Sequence, residues 1–171
     1  LAQPIVRQLA QVTGESAFFS ARRGNETVCL LREDGSFPVR SHVLYEGIRF
    51  PLGVASAGMV ILAFLPPAET EAYLTANELV SSFGESHSAA RIRERLRHTQ
   101  RDGYAVNGGL LVEGSWGLGA AVFDGGGSAR WALSLTGIEQ RISPRRRELG
   151  NLLLQQAHAL TQAIAAARPG R

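Results

Sequence analysis

The sequence predicts an α+β fold, in which helices flank a sheet. Segments with helical periodicity stand near both ends of the chain and in its middle. Extended segments lie between them, separated by turn residues. The length of 171 residues, with 44% hydrophobic and 19% charged residues, suits one folded core. We therefore expect residues 1–171 to form a single domain.

The chain is predicted to open with a short amphipathic helix. Ile5, Leu9 and Val12 fall at i, i+4 and i+7, so they share one helical face. Pro4 suits the first turn of this helix, and Gly14 suits its C-terminal cap.

Extended segments are expected next. Residues 16–23 and 26–34 are predicted to form a hairpin, because Gly24 and Asn25 favour the positive φ angles of a tight turn. A third strand is predicted over residues 37–45.

The middle of the chain is predicted to be helical in three places. A helix is expected from residue 51 to residue 63, where Pro66 and Pro67 close it, and a second short helix follows at 68–74. Residues 77–88 are polar and rich in turn formers. A third helix is expected to end at Gly103.

The C-terminal part is predicted to hold three strands and a long helix. The strands are expected at residues 103–110, 115–124 and 129–137. Ser143 is a suitable N-cap for the final helix, with Pro144 in its first position. The face that this helix would bury holds Leu149, Leu152, Leu153, Leu160 and Ile164.

The charge pattern argues against a DNA-contacting surface, and the cysteine content excludes a disulfide-bonded fold. All 18 basic residues are arginines, and they concentrate at residues 90–101 and 143–149. Acidic residues interleave them, which favours solvated helix faces over a DNA-contacting stripe. One cysteine, Cys29, excludes an internal disulfide and is predicted to be a small buried residue. No apolar run is long enough for a membrane helix and no export signal is visible, so we expect a cytoplasmic protein without membrane contact. The chain begins with leucine and is expected to be part of a longer protein.

Catalytic and metal-binding patterns are not found. The four histidines are scattered through the sequence, so no metal site and no cofactor are predicted. His87 and His98 are expected to be exposed, His158 to lie on the final helix, and His42 to point toward the helix containing Ser56. Neither a Gly-x-Ser-x-Gly elbow nor a Walker loop is present, so no catalytic residue is assigned.

A binding site is the more coherent prediction. Ser56 stands among small residues at a helix start, where a cap is also a donor for a bound carboxylate. Ser134 and Thr136 alternate with leucines, so both hydroxyls face the same side of one strand. Asn107 completes this polar set. Bonds from these hydroxyls to neighbouring backbone explain the pattern as well as a ligand does.

Several motifs resemble the effector-binding domain of IclR-type bacterial transcriptional regulators. These are the stretch GIRFPLGVASAGMVILAFLP, the GYAVNGG that follows an arginine-rich helix, and the AAVFD…ALSLTG hairpin. The likeness covers essentially the whole chain. It implies a GAF-like fold, a curved antiparallel sheet flanked by helices, and no enzymatic activity. It also implies homodimers or tetramers, and operator DNA as a partner through a winged helix-turn-helix domain that this chain lacks.

The resemblance implies an effector site for a small organic acid. Position by position, the site falls on Ser56, Ala57, Asn107, Gly117, Ser134 and Thr136. Met59 stands where relatives commonly have lysine, Asn107 where some have an acid, and Gly117 where some have cysteine. A less charged and roomier pocket is expected, for an effector larger than a three-carbon keto acid, such as an aromatic or sugar-derived acid. Trp116 and Leu118 should point away from the pocket. A small α+β enzyme and a purely structural oligomerisation domain are the alternatives.

Overall fold

The computed structural model describes residues 1–39 and 43–167 and shows one six-stranded sheet with helices on both faces. The strands are β1 (Ser16–Arg23), β2 (Glu26–Glu33), β3 (Arg49–Pro51), β4 (Ala105–Gly108), β5 (Ser115–Phe123) and β6 (Ala129–Ile138). The helices are α1 (Ala2–Thr13), α2 (Ser56–Ala63), α3 (Pro67–Ala76), α4 (Val80–Phe83), α5 (Ala89–Asp102), α6 (Glu139–Ile142) and α7 (Arg146–Ala166). Single 3₁₀ turns lie at Glu85–His87 and Ser143–Arg145.

The sheet has the order β3-β2-β1-β6-β5-β4, and each neighbouring pair is antiparallel. The predicted hairpins are both present. Gly24 has a φ of 62°, as a tight turn requires, whereas Asn25 does not adopt a positive φ. In the second hairpin, Asp124 Oδ1 accepts hydrogen bonds from the amides of Gly126 and Ser128. Strand β6 pairs with β1, so a strand from the N-terminal part of the chain and one from its C-terminal part are neighbours at the centre of the sheet.

Side-chain alternation divides the core into two layers. On one face, α2 and α5 cover Ala105, Ala121 and Ala132. On the other face, α1 and α7 cover a second cluster that includes Leu133 and Leu135. Every residue of α2 is buried, so its sequence shows no polar side. Ser134 and Thr136, which alternate with these two leucines on β6, face the layer that holds α2.

Several boundaries differ from the sequence prediction. The third strand is β3 and not residues 37–45, whose described part is irregular; His42 lies outside the described residues. Phe37 instead donates its amide to the Gly14 carbonyl and stacks its ring 3.9 Å from the Arg141 guanidinium carbon. The helix predicted from residue 51 begins at Ser56, because residues 52–55 form turns with Gly53 at a φ of 90°.

The predicted start of the last helix is also wrong. Ser143 does not cap it; residues Ser143–Arg145 form a 3₁₀ turn that continues from α6, and α7 begins at Arg146. The apolar face is as predicted. Leu149, Leu153 and Leu160 are buried, with Leu152 and Ile164 partly buried beside them.

Buried polar groups include the Glu15 carboxylate and one histidine. Glu15 follows the glycine cap of α1 and forms ion pairs with Arg141 of α6 and, at 3.8 Å, with Arg145. His87, predicted to be exposed, is 1% exposed, because the 3₁₀ turn packs it beside Phe83. Cys29 is buried as predicted, and burial raises the pKa of its thiol to about 11. No helix in the described ranges meets the length and hydropathy that a bilayer crossing demands.

Candidate functional site

Helix α2 begins in direct contact with β5, at two positions where the strand has glycine. A Cβ atom at Gly119 would lie 2.8 Å from the carbonyl oxygen of Ser56. A Cβ at Gly117 would lie 3.3 Å from Ser56 Oγ. Glycines on β5 therefore allow the first turn of the helix to approach the strand backbone closely.

A row of polar and small residues crosses the sheet beneath this helix start. Asn107 on β4 pairs with Gly117 on β5, and Gly117 pairs with Thr136 on β6. Antiparallel pairing places these partners on the same face. Asn107 and Thr136 are 29 positions apart in the sequence but lie on the same row of the sheet. Both belong to the polar set that the sequence predicted.

This row and the helix start enclose a small cavity. Its walls are Val43, Leu44, Ala55, Ser56, Asn107, Leu111, Ser115, Trp116, Gly117 and Thr136. Four predicted site residues, Ser56, Asn107, Gly117 and Thr136, line it together. Ala57 and Ser134 do not line it: Ala57 belongs to the apolar cluster under α2, and Ser134 is fully buried one pair further along β6. The cavity volume is about 20 Å³, room for about one water molecule.

Two hydroxyl groups stand out at this site because they are buried and have no partner. Among the described residues, neither Ser134 Oγ nor Thr136 Oγ1 has a hydrogen-bond partner. Thr136 is 6% exposed and lines the cavity, whereas Ser134 pairs across the sheet with Gly119. An unpaired buried polar group costs about 1–3 kcal/mol, so such groups generally occur where a ligand or water completes them. Bonding to neighbouring backbone, the other interpretation of the sequence, is not what the structure shows for these hydroxyls.

Asn107 has a different part in the site, because its amide group is already engaged. Its Nδ2 donates to the carbonyl of Val54 at 3.0 Å, and its Oδ1 accepts from the amide of Leu110 at 3.1 Å. These bonds tie the turn before α2 to the loop after β4. The side chain thus shapes the cavity wall and retains one further N–H for a ligand.

The start of α2 supplies unpaired backbone donors. Ala55 occupies the N-cap position without a side-chain bond, so Ser56 is the first helical residue and not the predicted cap. No acidic residue lies in the first turn. The first amides of a helix lack intrahelical acceptors and carry the positive end of its dipole. An acceptor or an anion at this end of the cavity would be stabilised.

The cavity walls carry no formal charge among the described residues. Its polar lining consists of hydroxyl and amide groups, so the expected loss of charge at this site agrees with the geometry. Within residues 1–39 and 43–167, no cluster of three or more histidine, cysteine or carboxylate side chains is placed to hold a metal ion.

Sequence reasoning missed part of the lining. Ser115 lies two residues before Gly117, so strand alternation alone would have placed it on the same face. Leu111 comes from the loop after β4, and no sequence signal placed it here. Leu118 packs in the opposite layer, as expected. Trp116 packs against that layer too, but its ring lies beside Gly108 near the sheet edge and also lines the cavity.

Comparison with known proteins identifies the family. The family model described as the bacterial transcriptional regulator IclR C-terminal domain matches residues 1–164. The chain belongs to the IclR family. It is 27% identical over 147 residues to the HTH-type transcriptional regulator KipR of Bacillus subtilis, covering 85% of this chain and 58% of that protein. It is also 27% identical over 163 residues to the HTH-type transcriptional repressor AllR of Klebsiella pneumoniae, covering 94% and 60%.

Solved IclR structures share the fold. The crystal structure of Thermotoga maritima IclR has a TM-score of 0.85 at 23% identity, covering 96% of this chain and 67% of that one. The C-terminal domain of Escherichia coli KdgR has a TM-score of 0.80 at 22% identity, covering 96% of both chains. The α+β, GAF-like fold is therefore confirmed. The chain spans about three fifths of the curated relatives' length, and those relatives are transcriptional regulators, not enzymes.

Proposed function

We propose that this IclR-family effector-binding domain, residues 1–171 acting as one unit, binds a small organic acid in the cavity between α2 and the sheet. The observation that carries the proposal is the Thr136 hydroxyl, which is buried without a described partner on the cavity wall. It lies on the same row as Gly117, opposite the uncapped start of α2. The Thr136 hydroxyl and the first amides of α2 are donors without an acceptor, and a carboxylate supplies acceptor oxygens.

The acid's carboxylate is expected at the helix start. The Ser56 amide and hydroxyl, which line the cavity, can donate to it, while Thr136 binds its polar substituents or an accompanying water. The Ala57 amide and the Ser134 hydroxyl lie just outside the cavity as it stands, and they join the site only when the cavity enlarges around the acid. Because no described lining residue is charged, the helix dipole and the hydroxyls supply the electrostatic stabilisation. Affinity should therefore depend on these donors and only weakly on salt concentration.

The size of the effector sets a second requirement. Gly117 leaves space beside Ser56, which is the basis for proposing an aromatic or sugar-derived acid larger than a three-carbon keto acid. The cavity holds only about 20 Å³ as it stands. An acid of that size therefore needs the cavity to enlarge, by movement of bulky lining side chains such as Leu44 or Leu111.

The proposal also concerns the longer protein. Thr136 pairs with Ser16, the first residue of β1, which is separated from α1 by Gly14 and Glu15 only. A change at Thr136 on effector binding can thus reach the N-terminal helix, and through it a DNA-binding domain of the kind that the relatives' names indicate. Effector binding regulates operator affinity only to the extent that it favours one of two conformations. The proposal places the protein in the bacterial cytoplasm as a homodimer or tetramer, which sedimentation of this domain would test.

A thermal-shift screen tests the effector site. Short keto acids, phenolic acids and sugar acids form a series of increasing size, and a ligand at about 100 times its Kd stabilises a fold by roughly 2.7 kcal/mol. The shift should disappear in the double variant Ser134→Ala, Thr136→Val, and Gly117→Leu should abolish binding of the larger acids. The matched control is Thr75→Val with Ser82→Ala, the same chemical changes at exposed positions outside the cavity.

The outcomes separate the hypotheses. A shift that survives in the cavity variant places the ligand elsewhere and overturns this site. No shift with any class of acid, in a folded domain, favours the purely structural oligomerisation domain.

A further inference from the structure

A second and larger cavity lies at the β4 edge of the sheet. It is bounded by the C-terminal half of α5, by β4 and β5, and by the first residue of α7, and its volume is about 260 Å³. That volume is more than ten times the volume of the cavity under α2. Trp116 is the residue that both cavities share. This larger cavity, called here the arginine cavity, is lined by Arg95, His98, Thr99, Arg101, Asp102, Tyr104, Val106, Trp116 and Arg146.

The charges of the arginine cavity are unbalanced. Three guanidinium groups, those of Arg95, Arg101 and Arg146, line it, with Asp102 as the single carboxylate of the lining. Asp102 is already paired with Arg101, whose Nε lies 3.1 Å from Oδ1. Across the described residues, neither Arg95 nor Arg146 has a carboxylate within ion-pair distance. The lining thus has a formal charge of two positive units with His98 neutral.

Arg95 carries this imbalance into the interior. It donates from Nη2 to the Ser86 carbonyl, but its Nη1 is buried and has no described partner. Burial lowers the pKa of its guanidinium, and the positive charge of Arg91 lowers it further, whereas Glu94 opposes this effect only in part. The side chain stays charged at neutral pH, because the guanidinium of arginine is effectively never deprotonated in proteins. A nearby anion would offset the cost of holding that charge out of water.

Two aromatic side chains complete the lining. The rings of Tyr104 and Trp116 are held against glycine backbone: a Cβ at Gly150 would lie 2.5 Å from the Tyr104 ring, and one at Gly108 would lie 3.1 Å from the Trp116 ring. Close packing on glycine fixes both rings in place. Their positions next to three guanidinium groups combine a planar apolar surface with donors that suit phosphate oxygens.

We propose that the arginine cavity is a second ligand site, and that it binds a phosphate monoester carrying an aromatic ring. A dianion matches the two uncompensated positive charges: Arg146 donates to its phosphate oxygens, and the charge of the more deeply placed Arg95 attracts it. The ring lies beside Tyr104 and Trp116. The site is distinct from the acid site under α2, and its existence does not depend on that proposal.

Fluorescence of Trp116 tests the second site. The chain has two tryptophans, so Trp131→Phe makes Trp116 the only reporter. Phenyl phosphate is the probe, with inorganic phosphate and phenol as the anion alone and the ring alone. We expect phenyl phosphate to change the emission saturably, with a Kd at least tenfold lower than either fragment. Arg146→Gln should raise that Kd about tenfold, because it removes a charge-assisted hydrogen bond.

Two control variants make the test specific. Arg97→Gln removes the same charge from the outer side of α5, where the residue is exposed and does not line this cavity, and it should leave the Kd within twofold. Thr136→Val should also leave it unchanged, because that residue belongs to the other cavity. An equal increase of the Kd in Arg97→Gln and Arg146→Gln would mean that phenyl phosphate responds only to the overall positive charge, and it would overturn the site. Loss of binding in Thr136→Val alone would move the probe to the acid site, and absence of saturation would likewise refute the proposal.

Discussion

The hydroxyl of Thr136 lowers the free energy of unfolding of the unliganded domain, and a single substitution can reveal this cost. Its Oγ1 is buried without a described partner, while Thr13 Oγ1, equally buried, donates to the Leu9 carbonyl at 2.7 Å and accepts from the Glu15 amide at 3.1 Å. The two threonines therefore offer the same side chain in opposite states of hydrogen bonding.

Thr136→Val should leave the free energy of unfolding unchanged or raise it by up to about 1 kcal/mol, because it replaces an unpaired hydroxyl with a methyl group of similar shape. Thr13→Val should lower that free energy by about 1–3 kcal/mol, because the buried Glu15 amide loses its acceptor and the hydrogen bond to the Leu9 carbonyl is lost. Urea denaturation of both variants measures the difference. Equal destabilisation would mean that Thr136 has a protein partner and would remove the main support for the acid site.

The contact between α2 and β5 shows why the strand has glycine at residues 117 and 119. The Ser56 carbonyl and the Ala57 amide lie 2.8 Å and 3.3 Å from a Cβ at Gly119, and both belong to helix backbone. At Gly117 the nearest atom is the side-chain oxygen of Ser56, at 3.3 Å. Neither glycine has a positive φ, so an alanine at either position differs only in what it meets.

Gly119→Ala should destabilise the domain by about 1–3 kcal/mol, because the start of α2 must move away from the sheet to admit the methyl group. Gly117→Ala should cost less than about 1 kcal/mol, since the Ser56 side chain can rotate and alanine restricts the unfolded chain. Thermal unfolding of the two variants gives the comparison. Similar melting temperatures would indicate that α2 is not packed as tightly as the geometry implies.

Stability of the entire domain should depend on pH through His87. Burial lowers the pKa of this imidazole below its usual value of 6.5, and the charge of Arg95 lowers it further, while the Phe83 and Val54 carbonyls oppose the shift. The unfolded chain therefore binds a proton at a higher pH than the folded chain does. By linkage, His87 contributes stability above about pH 6.5, and this contribution is lost as pH falls through the folded-state pKa.

We expect the free energy of unfolding to decline from pH 7 toward pH 5, and the decline to be shallower in His87→Gln. His158→Gln, at an exposed position on α7, is the matched control and should keep the original slope. Urea denaturation at several pH values measures these slopes. An unchanged slope in His87→Gln would assign the acid sensitivity to other groups.

Local patterns in the sequence predicted much of this fold. Leu133 and Leu135 alternate with Ser134 and Thr136, and the structure places the two pairs on opposite faces of β6. Turn residues predicted both hairpins, and Gly14 ends α1 in the left-handed conformation. These features depend on residues a few positions apart, whose backbone preferences and periodicity are visible along the chain.

Only the tertiary structure decided the features that depend on distant contacts. Arg49–Pro51 forms the edge strand because its backbone pairs with β2. Three residues are too few for a side-chain pattern that would predict this pairing. His87 is buried because α5 and its own 3₁₀ turn enclose it. The helical periodicity of the sequence cannot show that α5 packs against this turn. The arginine cavity likewise exists because α5, β5 and the start of α7 converge. Sequence spacing determined which faces these residues occupy, whereas close approach between elements determined which faces are covered and which cavities remain open.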